Sequence, residues 1–276
     1  MPGGLHAGSL VLCGGTLRTT PIPVQIAAAA AAGFDGISIY AAGVQAAAAD
    51  GLREADIAAM LADHGLSVAE VDGHVGWLPG PELRATRPLE VDLAIAAALG
   101  ARSLNVVEAA GNRVGIDVSV DAAAEAFAEV CDRAGDVGLL VTLEYYPWSG
   151  VPDSALASEI VRRADRSNGG LLLDTWHHVR GPDDSRLDLH DIAPLVFGVQ
   201  VSDAAVAIGT DVREESMHHR LAPGEGSARA HAILQALKDN GCTAPIGVEI
   251  YSDEFHAMDP FDAAAQAASA LRRVVV

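Results

Sequence analysis

The chain has one lysine, Lys238, and its 18 basic residues stand against 37 acidic ones, a formal net charge of −19 over 276 residues. Such a field repels phosphate backbones and anionic membrane surfaces, so neither nucleic acid nor a lipid surface is an expected partner. Cysteine is scarce too. Cys13, Cys131 and Cys242 lie far apart in apolar segments without metal-type spacing, which predicts reduced core residues, not a disulfide framework. The opening stretch MPGGLHAGSLVLCGG has no basic run ahead of an apolar one, so no secretory signal is expected. The alanine run at 27–32 is too short to cross a bilayer. These absences together predict a soluble, cytoplasmic protein. Also missing is the G-x-G-x-x-G turn of a dinucleotide site: the first apolar segment runs into CGGTLRTTP instead.

Half of the composition is hydrophobic, enough for a sizeable core. Short apolar runs, often β-branched, recur at 9–15, 36–40, 67–73, 103–109, 139–146, 170–176, 197–204 and 246–252. Alanine-rich or amphipathic stretches such as VDAAAEAFAEVCDRAGDVG and PFDAAAQAASALRRVV follow them and read as helices. Gly33, Gly65, Gly100 and Gly241 stand where helices should end ahead of strands. Near-continuous apolar strands separated by helices indicate a parallel sheet covered by helices, and eight such units predict a (β/α)8 TIM barrel. No composition break divides the chain, so residues 1–276 are expected to form one domain.

In that fold, chemistry gathers at the C-terminal ends of the strands. The last four apolar runs each end in a polar residue: Glu144 in VTLEYY, Asp174 in LLLDTW, Gln200 in FGVQVSD and Glu249 in IGVEIYS, at separations of 30, 26 and 49 residues. Neighbouring strands would bring the four together. Three carboxylates meeting without a cation would repel one another, and a divalent metal resolves this. Oxygen ligands favour a hard or borderline ion: Mn²⁺ first, with Mg²⁺ and Co²⁺ as alternatives.

The segments LEYYP, LLLDTWHHVR, VQVSDA, HRLAPGEG and GVEIYSDE, in this order, resemble the sugar phosphate isomerase/epimerase family of xylose isomerase-like TIM barrels, over nearly the whole chain. The resemblance implies metal binding by Glu144, Asp174 and Glu249, places the His of an Asp-x-x-His pattern on His177, and places the arginine before a Pro-Gly-x-Gly segment on Arg220. Many members carry histidine where this chain has Gln200; glutamine there is found among dehydratase-like members. The implied activity is an isomerase or epimerase that removes a proton beside a metal-bound carbonyl of a polyhydroxy ketone, forming an enediolate, with Glu144 and Glu249 as base and acid. The alternative is a dehydratase of the 3-dehydroshikimate or inosose type, with His177 protonating the departing hydroxide. Tyr145 and Tyr146 are weaker acid candidates. Outside catalysis, a sugar-binding barrel is the rival; the related fold of the endonuclease that cleaves abasic DNA is disfavoured by the net charge.

The expected substrate is an unphosphorylated small molecule, a polyhydroxy ketone or cyclic keto acid. Contacts to it are expected from His74, Trp77, Tyr146, Arg180 and Arg220. Trp176 is expected to pack beneath the site, His178 to face solvent, and Glu225 to cap the helix that follows it. The long loops 74–88 and 205–226 are expected to cover the site or to make homo-oligomer contacts.

Overall fold

In the computed structural model, which describes residues 4–78, 87–108, 119–182, 189–206 and 211–275, the eight apolar runs become eight parallel strands. They are β1 (Leu10–Leu12), β2 (Gly36–Tyr40), β3 (Ser67–His74), β4 (Ser103–Val107), β5 (Leu140–Glu144), β6 (Gly169–Asp174), β7 (Val196–Val201) and β8 (Ile246–Val248). They close in sequence order, β8 pairing back onto β1, which is the TIM barrel the unit count predicts. Helices cover the outside; Val120–Gly135 and Ser154–Ala164, for example, bury Phe127, Val130, Ile160 and Val161 in the main core. Gly33, Gly65, Gly100 and Gly241 all have positive φ, the left-handed conformation that ends a helix at no steric cost to glycine.

The strands stop earlier than the apolar runs suggest. The run 170–176 leaves the sheet at Asp174, and a helix, Thr175–Arg180, begins on the next residue. The run 246–252 is a strand only to Val248. Cys13 and Cys131 are buried, Cys242 is partly so, and all three are free thiols. No helix among the described residues is long and apolar enough to cross a membrane. The end of the fourth run, residue 109, and the middles of both long loops, 79–86 and 207–210, lie outside the described residues.

The barrel interior is polar. Strands β3 and β7 stand opposite each other in the closed order, yet Gln200 Nε2 donates to Glu70 Oε1 at 2.9 Å, so this bond crosses the lumen. Nearer the N-terminal end, Arg102 Nη1 donates to the carbonyl of Phe197, again from one side to the other. At Gly198 a Cβ would lie 2.7 Å from Leu172 Cδ1, so glycine lets β7 approach β6 beneath Gln200. Buried polar groups of this kind are tolerated only when hydrogen-bonded, and their network links opposite walls of the barrel.

Candidate functional site

Asp174 ends β6 and caps the helix that starts there. Its Oδ1 accepts from the backbone N–H of Trp176 at 2.7 Å and of His177 at 3.1 Å, satisfying donors that a helix start leaves without partners. Its Oδ2 accepts from Arg220 Nη1 at 2.6 Å. Thr175 Oγ1 donates to the carbonyl of Ser202, fixing the helix start against the end of β7. On the next strand, Glu144 Oε2 accepts from Asn105 Nδ2 at 2.9 Å, and its Oε1 lies 3.6 Å from His177 Nε2. The ligand-capable atoms of Glu144, Asp174 and His177 all lie within 4.8 Å of one another, and all three residues are buried.

Glu249 follows β8 directly, its backbone N–H donating to Val201 O at 3.0 Å. Its Oε1 accepts from Tyr40 Oη at 3.2 Å, and its Oε2 lies 3.9 Å from Arg220 Nη1. Gly15 leaves room for it: a Cβ there would lie 2.6 Å from Glu249 Oε1. Tyr40 is also hydrogen-bonded to Tyr251, and both line an open cleft of about 900 Å³ together with Arg18, Pro21 and Ala46. Gln200 is drawn to Glu70 through its amide nitrogen, while its Oε1 is buried with no hydrogen-bond partner among the described residues.

Three residues at the centre escaped the sequence reading. Asn105 donates to Asp72 Oδ1 at 2.8 Å as well as to Glu144, and is itself held by Thr142 Oγ1 at 3.1 Å. Glu70 and Asp72 are buried on β3. Their signal was present: in SVAEVDG they stand two apart in an apolar run, and a period of two puts them on one face of a strand.

So many acids in one enclosed space cannot all keep their ordinary proton affinity. Burial, with the charge of Asp72, lifts Glu70 to about 8 against the pull of Gln200 and Arg102. Burial also lifts Asp72 to about 6, against hydrogen bonds from Asn105 and Gln200. Glu144 stands well above the carboxylate range through burial and the charges of Asp72, Glu249 and Asp174. Glu249 is raised by burial, with Arg220 opposing and Asp72, Asp174 and Glu70 adding to the rise. Asp174 is the exception. Burial pushes it up, but Arg220 and His177 more than cancel this and leave it below its usual value. Burial drives His177 down to about 3 against the attraction of Asp174, with Arg220 adding repulsion, so the ring is neutral.

Arg220 is engaged by protein at each guanidinium nitrogen. Besides Asp174 it donates from Nε to Ser216 O at 2.9 Å and from Nη2 to Ser216 Oγ at 3.0 Å, and Nη2 lies 3.1 Å from His177 Nε2. Arg180 is engaged by Glu215 and Ala205 O and lies over the Trp176 ring, its (i, i−4) neighbour on the helix. Tyr146 donates to Glu108 O and lies against His177, with ring centroids 5.5 Å apart. Trp77 packs on Phe127 and donates to Val107 O at 3.0 Å. His74 is hydrogen-bonded to Asp92 at 2.8 Å. Trp176 is fully buried, as expected of a packing residue. Two expectations are corrected. His178 is buried, not solvent-facing, and is hydrogen-bonded to Tyr145 Oη at 3.0 Å, because the segment is a helix with both sides covered. Glu225 pairs with Arg273 at 3.8 Å, and the helix Ala230–Asp239 has Arg229 at its N-cap without a side-chain cap.

Comparison with known proteins agrees with this architecture. The chain is 28% identical over 247 residues to a 3-dehydroshikimate dehydratase of Pseudomonas aeruginosa, covering 86% of this chain and 37% of that protein. It is 29% identical over 140 residues to an inosose isomerase of Halalkalibacterium halodurans, covering 49% of this chain and 48% of the relative. The chain thus spans at most about half the length of these curated relatives. A crystal structure of the IolI protein with a binding zinc atom superposes with a TM-score of 0.83 over 97% of this chain and 98% of that one, at 19% identity, a likeness of fold. The family model described as xylose isomerase-like TIM barrel matches residues 26–274, and the chain belongs to that family.

Proposed function

We propose that the protein is a divalent-cation-dependent enzyme that removes a proton beside the carbonyl of a polyhydroxy ketone or cyclic keto acid, acting as an isomerase or epimerase. The observation that carries this reading is the buried Glu144, Asp174 and His177 group, with ligand atoms within 4.8 Å of one another at the C-terminal ends of neighbouring strands. Two further features fit a cation: the partnerless Oε1 of Gln200 among the described residues, and the raised proton affinity of Glu144 and Glu249, whose crowded charges a metal would relieve. Glu144, Asp174 and Glu249 would hold the cation, with Gln200 as fourth ligand and His177 within reach as a further one. When bound, the cation supplies Lewis-acid polarisation of the substrate carbonyl, which acidifies the adjacent C–H. Mn²⁺ suits the oxygen-rich set.

The chain's own groups divide the rest of the work. A carboxylate that takes the substrate's proton becomes an acid that can give it back, so two carboxylates facing the reacting carbon can serve as base and acid. Glu144 and Glu249 meet that requirement from different walls, Glu144 at the end of β5 and Glu249 after β8. Arg220 keeps Asp174 ionised through their 2.6 Å bond. The ring of His177, neutral and flanked by Tyr146, Trp148 and Trp176, walls one side of the site and limits access of water.

A dehydratase is the second reading. It is favoured by the relative named 3-dehydroshikimate dehydratase, matched over 86% of this chain, and by Gln200. One experiment separates the two. The metal content and Mn²⁺ affinity of the protein are measured beside Glu249→Ala, and the Mn²⁺-loaded protein is then given inosose or 3-dehydroshikimate in D₂O. One equivalent of metal, weakened at least about tenfold by the substitution, with deuterium entering recovered ketone, supports the isomerase. Loss of water from 3-dehydroshikimate identifies the dehydratase. An intact fold that binds no metal would sink both and favour a sugar-binding barrel.

A further inference from the structure

A buried carboxylate lies behind the end of β3, outside the centre just described. Asp92 is 0% exposed and sits in the first turn of the helix Leu89–Ala98. Both its oxygens are engaged: Oδ1 accepts from Arg87 Nε at 2.7 Å, and Oδ2 meets His74 Nδ1 at 2.8 Å. Burial pushes the Asp92 carboxyl up, but the hydrogen bonds from His74 and Arg87 more than offset this and hold it below its ordinary value. It is therefore ionised at neutral pH and can only accept hydrogen bonds. The hydrogen of this contact is therefore carried by His74 Nδ1, and Nε2 is the ring nitrogen left turned away from Asp92. Among the described residues Nε2 has no hydrogen-bond partner.

The position of this ring gives Nε2 something to face. His74 is the last residue of β3, in register with Val106 of β4. Two residues earlier, Asp72 shares Asn105 with Glu144. Just after it, Trp77 ties the chain to Val107 O, and Val107 is paired in register with Glu144. His74 thus stands on the C-terminal rim, one strand removed from Glu144. A purely structural pairing of helix and strand would not need a charge, since apolar groups join them without desolvating a carboxylate. A carboxylate on one imidazole nitrogen does something apolar packing cannot: it sets the tautomer and the direction of the other nitrogen.

We propose that Asp92 and Arg87 are positioning residues that hold His74 as the Nδ1–H tautomer, so that Nε2 accepts a hydrogen bond from a substrate hydroxyl remote from the reacting carbon. The hydroxyl part of this proposal rests on the polyhydroxy substrate class proposed above. It makes His74 selective for a donor: a hydroxyl satisfies the lone pair, whereas an ether or second carbonyl at that place leaves two acceptors facing each other.

The test uses the full chain labelled with ¹⁵N, the His74 ring being assigned by its loss in His74→Gln. Nδ1–H in the wild type, turning to Nε2–H in Asp92→Leu, is the expected result. Nε2–H in the wild type overturns the proposal outright, and needs no substituted protein if Asp92→Leu fails to fold. With Mn²⁺ bound, inosose should move the Nε2 resonance, and His74→Gln should weaken inosose binding by about tenfold, the worth of one good hydrogen bond, with Mn²⁺ affinity kept within about twofold. An unmoved Nε2 resonance, or equal inosose affinity in the two proteins, overturns the acceptor role. Failure of the wild type to bind Mn²⁺ would instead overturn the functional reading, while the tautomer would still decide whether Asp92 positions the ring.

Discussion

Raising the pH should weaken the metal-free protein, and Glu70 should carry much of the effect. Its carboxyl stands at about 8 in the fold against an ordinary 4.5, and Asp72 beside it at about 6 against 3.8. A carboxyl whose folded value is raised binds more protons in the folded than in the unfolded state between the two values, so across that window stability falls as pH rises. Below about 4.5 the penalty vanishes, since both states are protonated; above about 8 it is complete. One pKa unit corresponds to about 1.4 kcal/mol, which puts a ceiling of roughly 5 kcal/mol on Glu70 alone. Glu70 and Asp72 titrate as a pair, so their ceilings do not add. A loss on the order of 3 to 5 kcal/mol between pH 5 and about 8.5 is expected, a large share of the roughly 5 to 15 kcal/mol that folded domains have. Asp174 does not blur this window. Its depressed value contributes stability that is present above the unfolded value near 3.8 and lost only as pH falls through the lower folded one. Glu144 and Glu249 slope the same way as Glu70, so the variant Glu70→Gln isolates its share. The glutamine keeps an oxygen for Gln200 Nε2 but takes no charge. Urea unfolding in EDTA at several pH values should show the variant and wild type nearly equal at pH 5, with the variant more stable by about 3 kcal/mol near pH 8.5. Wild-type stability that is flat or rising over this range, or two parallel curves, would refute the assignment.

Arg220→Met should cost the metal-free protein about 3 to 5 kcal/mol, because removing one partner of a buried pair leaves Asp174 charged and unpaired; thermal unfolding reads this, and a loss under about 1 kcal/mol would show that the pair does not hold Asp174. Saturating Mn²⁺ should restore more stability to that variant than to the wild type, since a cation takes over the guanidinium's task. Mn²⁺ binding should also release protons, because Glu144 and Glu249 are raised without metal and must ionise to bind it. Calorimetry in buffers of differing ionisation enthalpy, near pH 6.5, measures that release; binding without it would show the two carboxyl groups already ionised.

The sequence revealed the barrel because each βα unit repeats the same pattern, an apolar run, a polar break and an amphipathic stretch closed by glycine. It placed Glu144, Asp174 and Glu249 at strand ends for a related reason: each is an acid at the point where an apolar run gives out, and in barrels of this kind chemistry gathers at that end. The lumen was less legible. Glu70, Asp72 and Asn105 occur within apolar runs, where a polar residue reads as a solvent-facing position of a half-buried strand; only closure of the sheet turns that face inward. The expectation that His178 faces solvent rests on adjacent side chains diverging after a strand end, as they do on a turn. Asp174 instead caps a helix that begins at Thr175, and the two rings do diverge, His177 towards Glu144 and Arg220 and His178 towards Tyr145. What failed was the premise that divergence implies exposure.

The same helix accounts for the difference between the two arginines. Arg180 lies four residues beyond Trp176, on its face of the helix, and is drawn to Glu215 behind the ring. Arg220 comes from a separate segment, fixed by its backbone N–H on Tyr251 O at 3.0 Å, and so reaches Asp174 from the side of β8. One guanidinium neutralises one of the converging carboxylates. The others are left with two physical options, to bind protons or to share a divalent cation. Burial, with the neighbouring carboxylates adding at Glu70, Glu144 and Glu249, raises the proton affinities of Glu70, Asp72, Glu144 and Glu249, while Arg220 and His177 take Asp174 the other way. Under the proposed function, protons and a divalent cation would compete for the same carboxylates.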